Sequence, residues 1–510
     1  MKFVSAKGMR EGEGRAILRT PVLERQMMDR AGRGLATVIA GIAKHLDHPD
    51  PVIRLLAGPG NNGGDIFAAA LFLSDMGFAP EIWIACPLDK IKGSAKHFFD
   101  QVGDEEIPYH ELLAEADWQP ELDVAPPPIL VDGLLGTGAK GAPTGIIRAA
   151  IEYLNAKSAE SLVVSADIPS GMNADTGAAA GVVVRADYTV TMGFPKAGMA
   201  EPAAAANLGA LCAVPIGLPK DFADAIPDAH PGMQWISGAD VHATLPRRPR
   251  DSHKGTYGRA LLIGGSAQYP GAIVLAAEGA LRSGAGLVRV ATVPAAAAAV
   301  LARAPEAIVG ADLEPEVSLE GADAVLAGPG LGRDPEARRL VARLLRATPG
   351  PLVLDADAIA VLEGKPEVLK NCPQPVILTP HPGELAHLLG TDVAAIQHDR
   401  AAAVKEAAER TGAIVVLKGA GTLVAKAGAP VWINLNGNPG MACGGSGDVL
   451  AGLLAGLLAQ KIEPLAAACA AVWLHAAAGD AAALEKTQAA MQAGDIARLI
   501  PAAFRQASLR

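Results

Sequence analysis

The sequence predicts two α/β domains, each built on a mainly parallel β-sheet with flanking helices. Apolar, β-branched segments alternate with Ala- and Leu-rich segments along almost the whole chain, which is typical of parallel strands joined by crossover helices. The chain has 510 residues, too many for one ordinary domain. Residues 215–250, rich in Pro, Asp and Gly, show no sustained periodicity. We therefore expect domains at residues 1–225 and 230–510.

The predicted strands are short, apolar and rich in β-branched residues. The segments with this pattern include Val52–Ala57, Ile82–Ala85, Ile129–Val131, Leu162–Ser165, Ala260–Ile263, Ala324–Ala327, Leu352–Leu354, Val376–Leu378 and Ile414–Leu417. A Gly-Pro-Gly triplet occurs at residues 58–60 and again at 328–330. The sequences around the two copies differ, so we infer no internal duplication.

Composition excludes several classes of protein. Hydrophobic residues make up 50% of the chain and charged residues 19%, which is far from the composition of a disordered protein. The chain has 44 Lys and Arg against 54 Asp and Glu, a formal net charge of −10, and no long basic run. Nucleic acids and anionic membranes are therefore poor partners, and we expect small molecules instead.

Cysteine usage and the first residues indicate a reducing compartment. The five cysteines lie far apart and form neither a CxxC motif nor a Cys/His metal spacing. Lys2, Lys7 and Arg10 interrupt any apolar signal core at the start of the sequence. The longest apolar run, residues 449–459, is about half of the roughly 20 residues that a membrane-spanning helix needs. We expect a cytoplasmic protein.

A glycine-rich turn between a predicted strand and a predicted amphipathic helix is the first candidate site. Residues 58–63 form a GxGxxG pattern, in which glycines let the backbone approach a pyrophosphate and the helix N-terminus supplies free N–H groups. The alternative is a tight turn that binds nothing. Asn61, Asn62 and Asp65 could orient sugar hydroxyls or bind a hard cation, although any of them could equally be the helix N-cap.

Two further predicted strands end in side chains that carry oxygen. Asp132 follows the apolar run ILV, and Asp167 and Ser170 follow LVVS. Ligands of open α/β sheets collect at the carboxyl ends of strands, so these side chains are expected to face the same crevice as the glycine-rich turn. Each Asp taken alone could instead be a cap or turn residue.

The first half contains the motifs NNGGD, DGLLGTG, ADIPSGMNADTG and ADYTVTMGFPKAG. With these motifs, most of residues 20–200, from MMDRAGRG onward, resembles the epimerase domain of the NAD(P)H-hydrate repair enzymes. The resemblance implies a Rossmann-like three-layer α/β/α sandwich. It also implies a potassium ion held by Asn62, Asp132 and Ser170. The residues that would bind the hydrated nicotinamide dinucleotide are Asn61, Asn62, Gly63, Gly64, Asp65, Gly136, Thr137, Gly138, Ala139, Lys140, Gly141, Ala142 and Asp167.

The chemistry of epimerisation fits acidic side chains at this site. The substrate is a hemiaminal, whose C6 hydroxyl can leave with help from nitrogen or whose ring can open, so inversion needs acid/base help and a firm grip on the ring. Asp167 is our candidate catalytic acid/base. Lys196 is a weaker candidate and could instead be a surface lysine. One departure from the family pattern is Ile66, which replaces the last glycine of NNGGDG.

A second glycine-rich loop, in the second half, runs into an apolar helix. The backbone N–H groups of Gly444, Gly445, Ser446 and Gly447 could form an anion hole for a phosphoryl group in transit, and Asp448 could take the proton of an attacking hydroxyl. This GxGD pattern resembles the ribokinase-like kinases, and no GK[ST] follows as it would in a P-loop. The alternative is a glycine-rich helix cap with Asp448 as the N-cap.

Residues 235–500 contain, in order, the motifs HKGTYGRALLIGGSAQYPGAIVLAAEGALRSGAGLV, AGPGLG, LDADAI, LTPHPGELAHLL and LKGAGTLVA. Together these motifs resemble the NAD(P)H-hydrate dehydratase domain, which is a ribokinase-like α/β domain. The resemblance implies a hydrate site lined by Ala272, Gly332, His381 and Asp448. It implies an adenine nucleotide bound by Lys418, Gly419, Ala420, Gly421, Thr422 and Gly447. Bacterial members imply ADP, with Mg²⁺, as the phosphoryl donor.

In the implied dehydration, Asp448 deprotonates the C6 hydroxyl as it attacks the terminal phosphoryl group. The amides of residues 444–447 and Mg²⁺ neutralise charge, and the departure of phosphate restores the ring double bond. AMP and phosphate are released. Phosphorylation thus turns a poor leaving group into a good one.

Several residues of the second half keep two interpretations. His381 could contact a ligand or be a hydrogen-bonded turn residue before Pro382. Asp355 and Asp357 could bind magnesium through water or cap the next helix. Cys443 stands where the family often has Thr, and a small buried thiol without a redox role explains it.

We expect a bifunctional repair enzyme that epimerises the R and S forms of hydrated NADH or NADPH and dehydrates the S form with ADP. We also expect a homo-oligomer. One alternative is a ribokinase-like small-molecule kinase with a nucleotide-binding N-terminal domain, which would release a stable phosphorylated product. A second is a regulatory dinucleotide-binding protein with degenerate sites, and a hydride-transferring dehydrogenase ranks last because no clear ribose-binding acid follows in residues 77–87.

Overall fold

The computed structural model describes residues 1–44, 46, 52–310, 318–362 and 364–508. The chain divides into two units, Met1–Pro231 and Gly232–Arg510, each with its own sheet. The second unit begins with a strand, Met233–Trp235, inside the segment in which we expected no periodic structure. A three-residue strand is too short to show a period, and its partner lies about 200 residues later in the sequence, so local pattern could not reveal it.

The first unit contains a seven-stranded parallel sheet in the order β3-β2-β1-β4-β5-β6-β7. Its strands are β1 Val52–Ala57, β2 Ala79–Ile84, β3 Tyr109–Glu111, β4 Ile129–Gly133, β5 Leu162–Ala166, β6 Tyr188–Met192 and β7 Ala210–Val214. Its helices are α1 Ala6–Arg19, α2 Leu23–Ala43, α3 Asn61–Asp75, α4 Gly93–Asp104, α5 Gly145–Lys157, α6 Ala205–Leu208 and α7 Lys220–Ala225. The strand order reverses between β1 and β4, where Rossmann-like sheets bind ligands.

Side chains of the central strands alternate between the two faces of this sheet. Ile53 and Leu55 of β1 join a buried cluster with α2, α3 and α4, whereas Leu56 joins a second cluster with α5. β4 repeats the pattern, with Val131 on the first side and Leu130 on the second. Helices therefore cover both faces, and the predicted three-layer α/β/α sandwich is confirmed.

The second unit contains a ten-stranded sheet in the order β11-β10-β9-β12-β13-β14-β15-β16-β17-β8, parallel except where β16 runs antiparallel to both neighbours. Its strands are β8 Met233–Trp235, β9 Arg259–Ile263, β10 Leu287–Ala291, β11 Ile308–Gly310, β12 Ala324–Ala327, β13 Leu352–Leu354, β14 Val376–Leu378, β15 Ile414–Leu417, β16 Thr422–Ala425 and β17 Val431–Asn434. Its helices are α8 Gly238–Thr244, α9 Pro270–Leu281, α10 Pro294–Arg303, α11 Pro335–Ala347, α12 Asp357–Ala360, α13 Pro382–Leu389, α14 Val393–His398, α15 Arg400–Thr411, α16 Ser446–Ala459, α17 Pro464–Lys486 and α18 Ala493–Ser508.

Close packing of α9 and α16 fixes the start of α16, where the second candidate site lies. A Cβ atom added to Gly452 would lie 1.9 Å from the carbonyl oxygen of Ala276, and one added to Gly279 would lie 2.4 Å from that of Val449. Glycine at 279 and 452 is therefore required for the two backbones to approach. Interdigitated packing of this kind leaves α16 little freedom to shift.

Helix α17 is long and apolar enough to cross a membrane by length and composition alone. We did not identify it from the sequence, because His475 and Asp480 interrupt its apolar runs. In the structure 78% of its most apolar window is buried inside the protein, which is what a core helix of a large domain requires.

Candidate active sites

The glycine-rich turn after β1 packs against the end of β4. The amide of Gly58 donates to the carbonyl of Gly133 at 3.2 Å, and a Cβ atom on Gly58 would lie 1.9 Å from the carbonyl oxygen of Leu134. The N-cap of α3 is Gly60, so the alternative in which Asn61, Asn62 or Asp65 caps the helix is wrong. The side chains of Asn61, Asn62 and Asp65 are therefore not used to cap α3.

Asn62 and Ser170 contact the backbone of Leu135, and Ser170 links this group to Asp132. Asn62 Nδ2 donates to the Leu135 carbonyl at 2.9 Å, and the Leu135 amide donates to Ser170 Oγ at 2.8 Å. Ser170 Oγ also donates to Asp132 Oδ1 at 2.5 Å, and Asp132 is fully buried. Within the described chain, the buried Oδ1 of Asn62 has no hydrogen-bond partner. An unpaired buried amide oxygen is costly unless a cation or donor meets it.

Asp167 and Lys196 form an ion pair at the ends of β5 and β6. Lys196 is 1% exposed, so the alternative of a surface lysine is wrong. Its Nζ donates to Asp167 Oδ1, to Thr191 Oγ1 at 2.9 Å and to the Met192 carbonyl at 3.1 Å. Asp167 has a positive φ of 61°, a conformation that costs free energy in a non-glycine residue and is concentrated at functional sites.

Two further carboxyls face this ion pair, and the sequence revealed only one of them as a site residue. The pKa of Asp65 is raised well above its usual value, mainly by burial and then by the charges of Asp167 and Glu13. The pKa of Glu13 is raised to about 7, mainly by burial, with Lys196 opposing and Asp167 adding to the shift. Glu13 lies on α1, before the segment that carries the resemblance, so no motif indicated it.

The loop of residues 136–142 begins beside Asn62 and then becomes exposed. A Cβ atom on Gly136 would lie 3.4 Å from Asn62 Cβ, and Arg10 of α1 donates to the Thr137 carbonyl at 3.0 Å. The remaining predicted residues of the loop, from Gly138 to Ala142, are exposed. The loop thus has its first residues at the carboxylate-rich crevice.

Ile66, the departure from the family pattern, points toward the sheet. Its side chain is fully buried, and a Cβ atom on Gly133 would lie 2.0 Å from Ile66 Cγ1. The isoleucine therefore occupies the space above a glycine of β4. It leaves the turn at residues 58–60 unobstructed.

In the second unit, α16 begins directly after a glycine in the left-handed conformation. Gly445 is the N-cap with φ 94°, and Ser446 is the first helical residue. Asp448 is the third residue of the helix, so the alternative of Asp448 as the N-cap is wrong. His475 Nε2 lies 2.9 Å from the Ser446 carbonyl oxygen, which can only accept, so Nε2 carries the proton. The pKa of His475 is lowered to about 4 because the imidazole is buried.

Asp448 lies in a dense group of charges. Lys418 Nζ donates to Asp355 Oδ1 at 2.8 Å and lies 3.8 Å from Glu384 Oε2. The pKa of Asp448 is raised to about 7, first by burial and then by the charge of Asp355, while Lys418 opposes the shift. A carboxyl with a pKa near neutrality can take or give a proton at physiological pH. Asp357 adds to the same shift.

The other predicted hydrate-binding residues lie beside this group, on loops or at the start of a helix. Ala272 lies near the start of α9, where its Cβ is 3.1 Å from a Cβ atom placed on Gly330. The Gly332 amide donates to Asp357 Oδ2 at 2.9 Å. His381 is the N-cap of α13, with Nδ1 accepting from the Gly383 amide at 3.0 Å. The hydrogen-bonded turn that we considered for His381 is therefore present, and the Nε2 atom on the other side of the ring lies 3.4 Å from Glu384 Oε1.

Asp355 and Asp357 do not direct their carboxylates at the amides of α12. Asp355 Oδ1 accepts from Thr379 Oγ1 at 2.7 Å and from Lys418, and Asp357 accepts from Gly332 and from Arg333 Nε. The helix-capping alternative for these two residues is therefore wrong. Between them lies Ala356, whose φ is 47°. In the described residues, no group of three or more His, Cys, Asp or Glu is arranged to hold a metal ion.

The predicted nucleotide loop joins β15 to β16 and is held by Arg400. One guanidinium nitrogen of Arg400 lies 3.3 to 3.4 Å from the carbonyl oxygens of Leu417, Lys418 and Gly421. Thr422 Oγ1 donates to the Gly419 carbonyl at 2.9 Å, and Ala420 forms the exposed tip. A Cβ atom on Gly447 would lie 3.2 Å from Lys418 Nζ, so Lys418 joins this loop to the start of α16. No motif indicated a role for Arg400, because the residue lies outside every motif.

Cys443 precedes the left-handed glycine and is half-buried against the core of the second unit. The loop before it is fixed by Asp480, whose carboxylate accepts from the Gly437 amide and from Asn438 Nδ2, each at 3.0 Å. The pKa of Asp480 is raised to about 6 by burial. These contacts order the chain at residues 437–438, a few residues before the predicted anion hole.

Fold and site together define a two-domain α/β enzyme in which a Rossmann-like unit is followed by a ribokinase-like one. Residues 24–198 match the family described as YjeF-related protein N-terminus, and residues 260–502 match the family described as NAD(P)H-hydrate dehydratase. The chain belongs to the family of bifunctional NAD(P)H-hydrate repair enzymes, because relatives of that name match it over most of its length.

Relatives and a solved structure agree on this assignment. The bifunctional NAD(P)H-hydrate repair enzyme Nnr of Moorella thermoacetica is 38% identical, over 94% of this chain and 92% of that one. The enzyme of the same name from Escherichia coli is 37% identical, over 87% of this chain and 83% of the relative. A crystal structure of the ADP/ATP-dependent NAD(P)H-hydrate dehydratase from Bacillus subtilis, obtained with ATP/Mg²⁺, is 34% identical with a TM-score of 0.50 and covers 54% of this chain and 98% of its own.

Proposed function

We propose that the first unit epimerises C6 of hydrated NADH or NADPH and that the second unit dehydrates the S epimer with a nucleotide as phosphoryl donor. The observation that carries the proposal is the position of Asp448, beside the left-handed Gly445 and with a pKa of about 7. A base next to an amide-lined turn is what the transfer of a phosphoryl group to a hydroxyl requires.

In the second unit Asp448 accepts the proton of the C6 hydroxyl while that oxygen attacks the terminal phosphorus. The new O–P bond replaces the bridging O–P bond of the nucleotide, and the amides of residues 444–447 stabilise the oxygens that gain charge. The resulting phosphate ester leaves as phosphate, assisted by the ring nitrogen, and loss of a proton from C5 completes the double bond. With ADP as donor, the products are AMP, phosphate and NAD(P)H.

Lys418 is placed to hold the nucleotide next to Asp448. It lies between the loop of residues 418–422 and Gly447, with Asp355 as its counter-ion at 2.8 Å. Mg²⁺ bound with the nucleotide supplies charge neutralisation, and Asp355 and Glu384 are the oxygen donors nearest to Lys418 that suit such a hard cation. Ala272, Gly332 and His381, on loops or at the start of a helix, would surround the nicotinamide ring.

In the first unit Asp167 is the catalytic acid/base, and the turn of residues 61–65 and the loop of residues 136–142 bind the dinucleotide. The ion pair with Lys196 keeps Asp167 at a fixed position above the ends of β5 and β6. A fixed carboxylate that touches the C6 hydroxyl can accept its proton or return it.

A potassium ion fits the side chains of Asn62, Asp132 and Ser170. Asn62 Oδ1 is buried and unpaired within the described chain, and Asp132 and Ser170 supply further oxygens. Bound there, the ion would stabilise this crevice and attract the anionic dinucleotide. Replacing K⁺ by Li⁺ should lower epimerisation and leave dehydration unchanged, and equal epimerisation without K⁺ would contradict the assignment.

The test is an absorbance assay at the reduced-nicotinamide band. Purified chain is mixed with both hydrate epimers and with ADP or ATP in turn. We expect full conversion of the mixture to NADH, with release of phosphate. A stable phosphorylated product, without regenerated NADH, would instead support a small-molecule kinase.

A further inference from the structure

Helix α1 lies over the carboxylate-rich crevice of the first unit, although no motif includes it. The residues before α1 pair with the segment that carries Lys196, since the Val4 amide donates to the Pro195 carbonyl at 3.0 Å and the Ala197 amide donates to the Val4 carbonyl at 2.8 Å. Ala6 at the start of the helix donates to Asp175 Oδ1 at 2.7 Å. The helix is thus attached to the site and not merely to the outside of the fold.

Glu13 faces the site from this helix. Arg10, one turn earlier, donates to the Thr137 carbonyl at 3.0 Å, and residues three apart share a helix face. Glu13 interacts electrostatically with Arg10, Lys196 and Asp167, and Asp65 interacts with Glu13 in turn. Helix α7 also packs against α1, and Asp221 of α7 is paired with Arg19 at the C-terminal end of α1, away from the crevice.

The charges in this crevice do not balance if every carboxyl is ionised. Glu13, Asp65 and Asp167 face one buried ammonium group, that of Lys196. Lys196 is bound to Asp167, and Asp167 Oδ1 also accepts from the Met192 amide at 3.0 Å, so hydrogen-bond donors already meet this oxygen. If one carboxyl of the crevice is protonated, we therefore expect it to be a carboxyl other than that of Asp167. Glu13, with its pKa raised to about 7, is titratable at physiological pH.

Inversion at C6 by loss and return of the hydroxyl needs two proton-transfer groups. One neutral group protonates the departing oxygen, and one charged group accepts a proton from the water that adds to the opposite face. Building on the epimerase activity proposed above, we infer that Glu13 is the second catalytic residue of that site and shares one proton with Asp167. Neither the match to residues 24–198 nor the motifs include Glu13.

The step balances with water alone. Glu13 gives its proton to the C6 hydroxyl, the C–O bond breaks with its electron pair on oxygen, and the lone pair of N1 forms the C=N bond. Water then adds to the other face, the C=N electrons return to nitrogen, and the proton of the incoming water passes to Asp167. The product is the opposite epimer. Glu13 is then ionised and Asp167 protonated, which is the state that the reverse reaction requires.

The test uses the full chain and separated R and S hydrates, with epimerisation followed by chromatography. Glu13→Gln removes the proton donor, so we expect kcat to fall by about 10²-fold or more with KM changed little. Glu13→Asp keeps a carboxyl and should restore part of the rate. Glu11→Gln is the matched control, because Glu11 is exposed on the same helix and paired with Lys7 at 3.7 Å. Circular dichroism and thermal unfolding of the full chain, compared with wild type, report that each variant is folded.

Two further readouts separate catalysis from a structural role. In wild type, kcat/KM should fall above about pH 7 for epimerisation from R to S and from S to R, because the shared proton is lost. The Glu13→Gln variant should not show this fall at high pH. Reaction in ¹⁸O-water should place solvent oxygen at C6 with each inversion. Retention of the original oxygen, or a Glu13→Gln variant within threefold of wild type, would overturn the inference.

The outcome for Glu13 is distinguishable from failure of the proposed function. If wild type does not epimerise the hydrates, the function of the first unit is wrong. If wild type epimerises them and Glu13→Gln does so equally well, only the role of Glu13 is wrong. If KM rises while kcat is unchanged in Glu13→Gln, the residue binds substrate and the proton-transfer role is likewise wrong.

Discussion

The two units place a similar set of charges at the carboxyl ends of different sheets. In each, a lysine is paired with an aspartate at a strand end: buried Lys196 with Asp167, and half-buried Lys418 with Asp355. Each pair also has a neighbouring carboxyl whose pKa is raised to about 7, Glu13 in the first unit and Asp448 in the second. The ion pair provides a fixed charge, and the neighbouring carboxyl provides the titratable group.

The difference lies at the helix N-terminus that borders each site. In the first unit, Asn62 is the second residue of α3, and its carboxamide joins Asp132 and Ser170 in a set of oxygens. In the second, α16 begins after Gly445 in the left-handed conformation, and Asp448, the proposed base, lies within the first turn of α16. One arrangement suits a cation and proton transfer, and the other suits an anionic group in transit. Similar charge pairs can therefore serve different chemistry.

The largest expected effect comes from removing the base of the second unit. Asp448→Asn should lower the rate of dehydration by about 10³-fold, because the hydroxyl keeps its proton during attack. Epimerisation should be unchanged. Exposed Asp251→Asn is a matched control in the same unit. Loss of both activities in a folded protein would show that the comparison between two independent sites is false.

Asp167→Asn should give the reverse pattern, with epimerisation lowered by about 10²-fold and dehydration intact. Asparagine tolerates the positive φ of 61° at this position, so the backbone is expected to persist. Chromatographic separation of the two epimers over time measures the rate. Unchanged epimerisation would remove Asp167 from the mechanism.

The pH dependence of dehydration sharpens the comparison further. Asp448 must be ionised to accept a proton, and its pKa is raised to about 7. Below that value kcat/KM should fall by about tenfold per pH unit, and above it the rate should level off. A series of initial rates across this range is the measurement. A rate that stays constant down to about pH 5 would exclude Asp448 as the titrating base.

The smallest effect concerns stability, through His475 beneath the anion hole. Its pKa is about 4 in the folded protein against 6.5 for the free side chain, so above 6.5 the imidazole is neutral in both states. As the pH falls from 6.5 toward 4, the unfolded chain binds the proton first and the free energy of unfolding decreases, by on the order of 3 kcal/mol. His475→Gln should flatten this part of the curve in denaturant titrations. An unchanged slope would contradict the shift.

Much of the architecture was predictable because parallel sheets buried on both faces have continuous apolar strands. Val52–Ala57 and Ala324–Ala327 have the predicted bounds, and each ends in a Gly-Pro-Gly turn. The edge strand Met233–Trp235 was not predictable, because it is short and pairs with a distant segment. Chain topology, which brings such segments together, has no local signal.

The sites were predictable where side chains belong to glycine-rich turns, and less so where they come from elsewhere. Lys196 was undervalued because only the fold shows that it is buried against Asp167. Glu13 and Arg400 lie on helices outside every motif, and each reaches its site through the packing of that helix. Residues recruited in this way can be found only once the elements are assembled.

The most direct test of the two-site account is complementation between variants. A mixture of R and S hydrates with nucleotide is given to Asp448→Asn, to Asp167→Asn, or to both variants together, and NADH is followed by absorbance. The account predicts no fast conversion with the first, fast conversion of only the S fraction with the second, and fast conversion of the whole mixture with both. Failure of the combined variants to convert the R fraction faster than Asp167→Asn alone would contradict it.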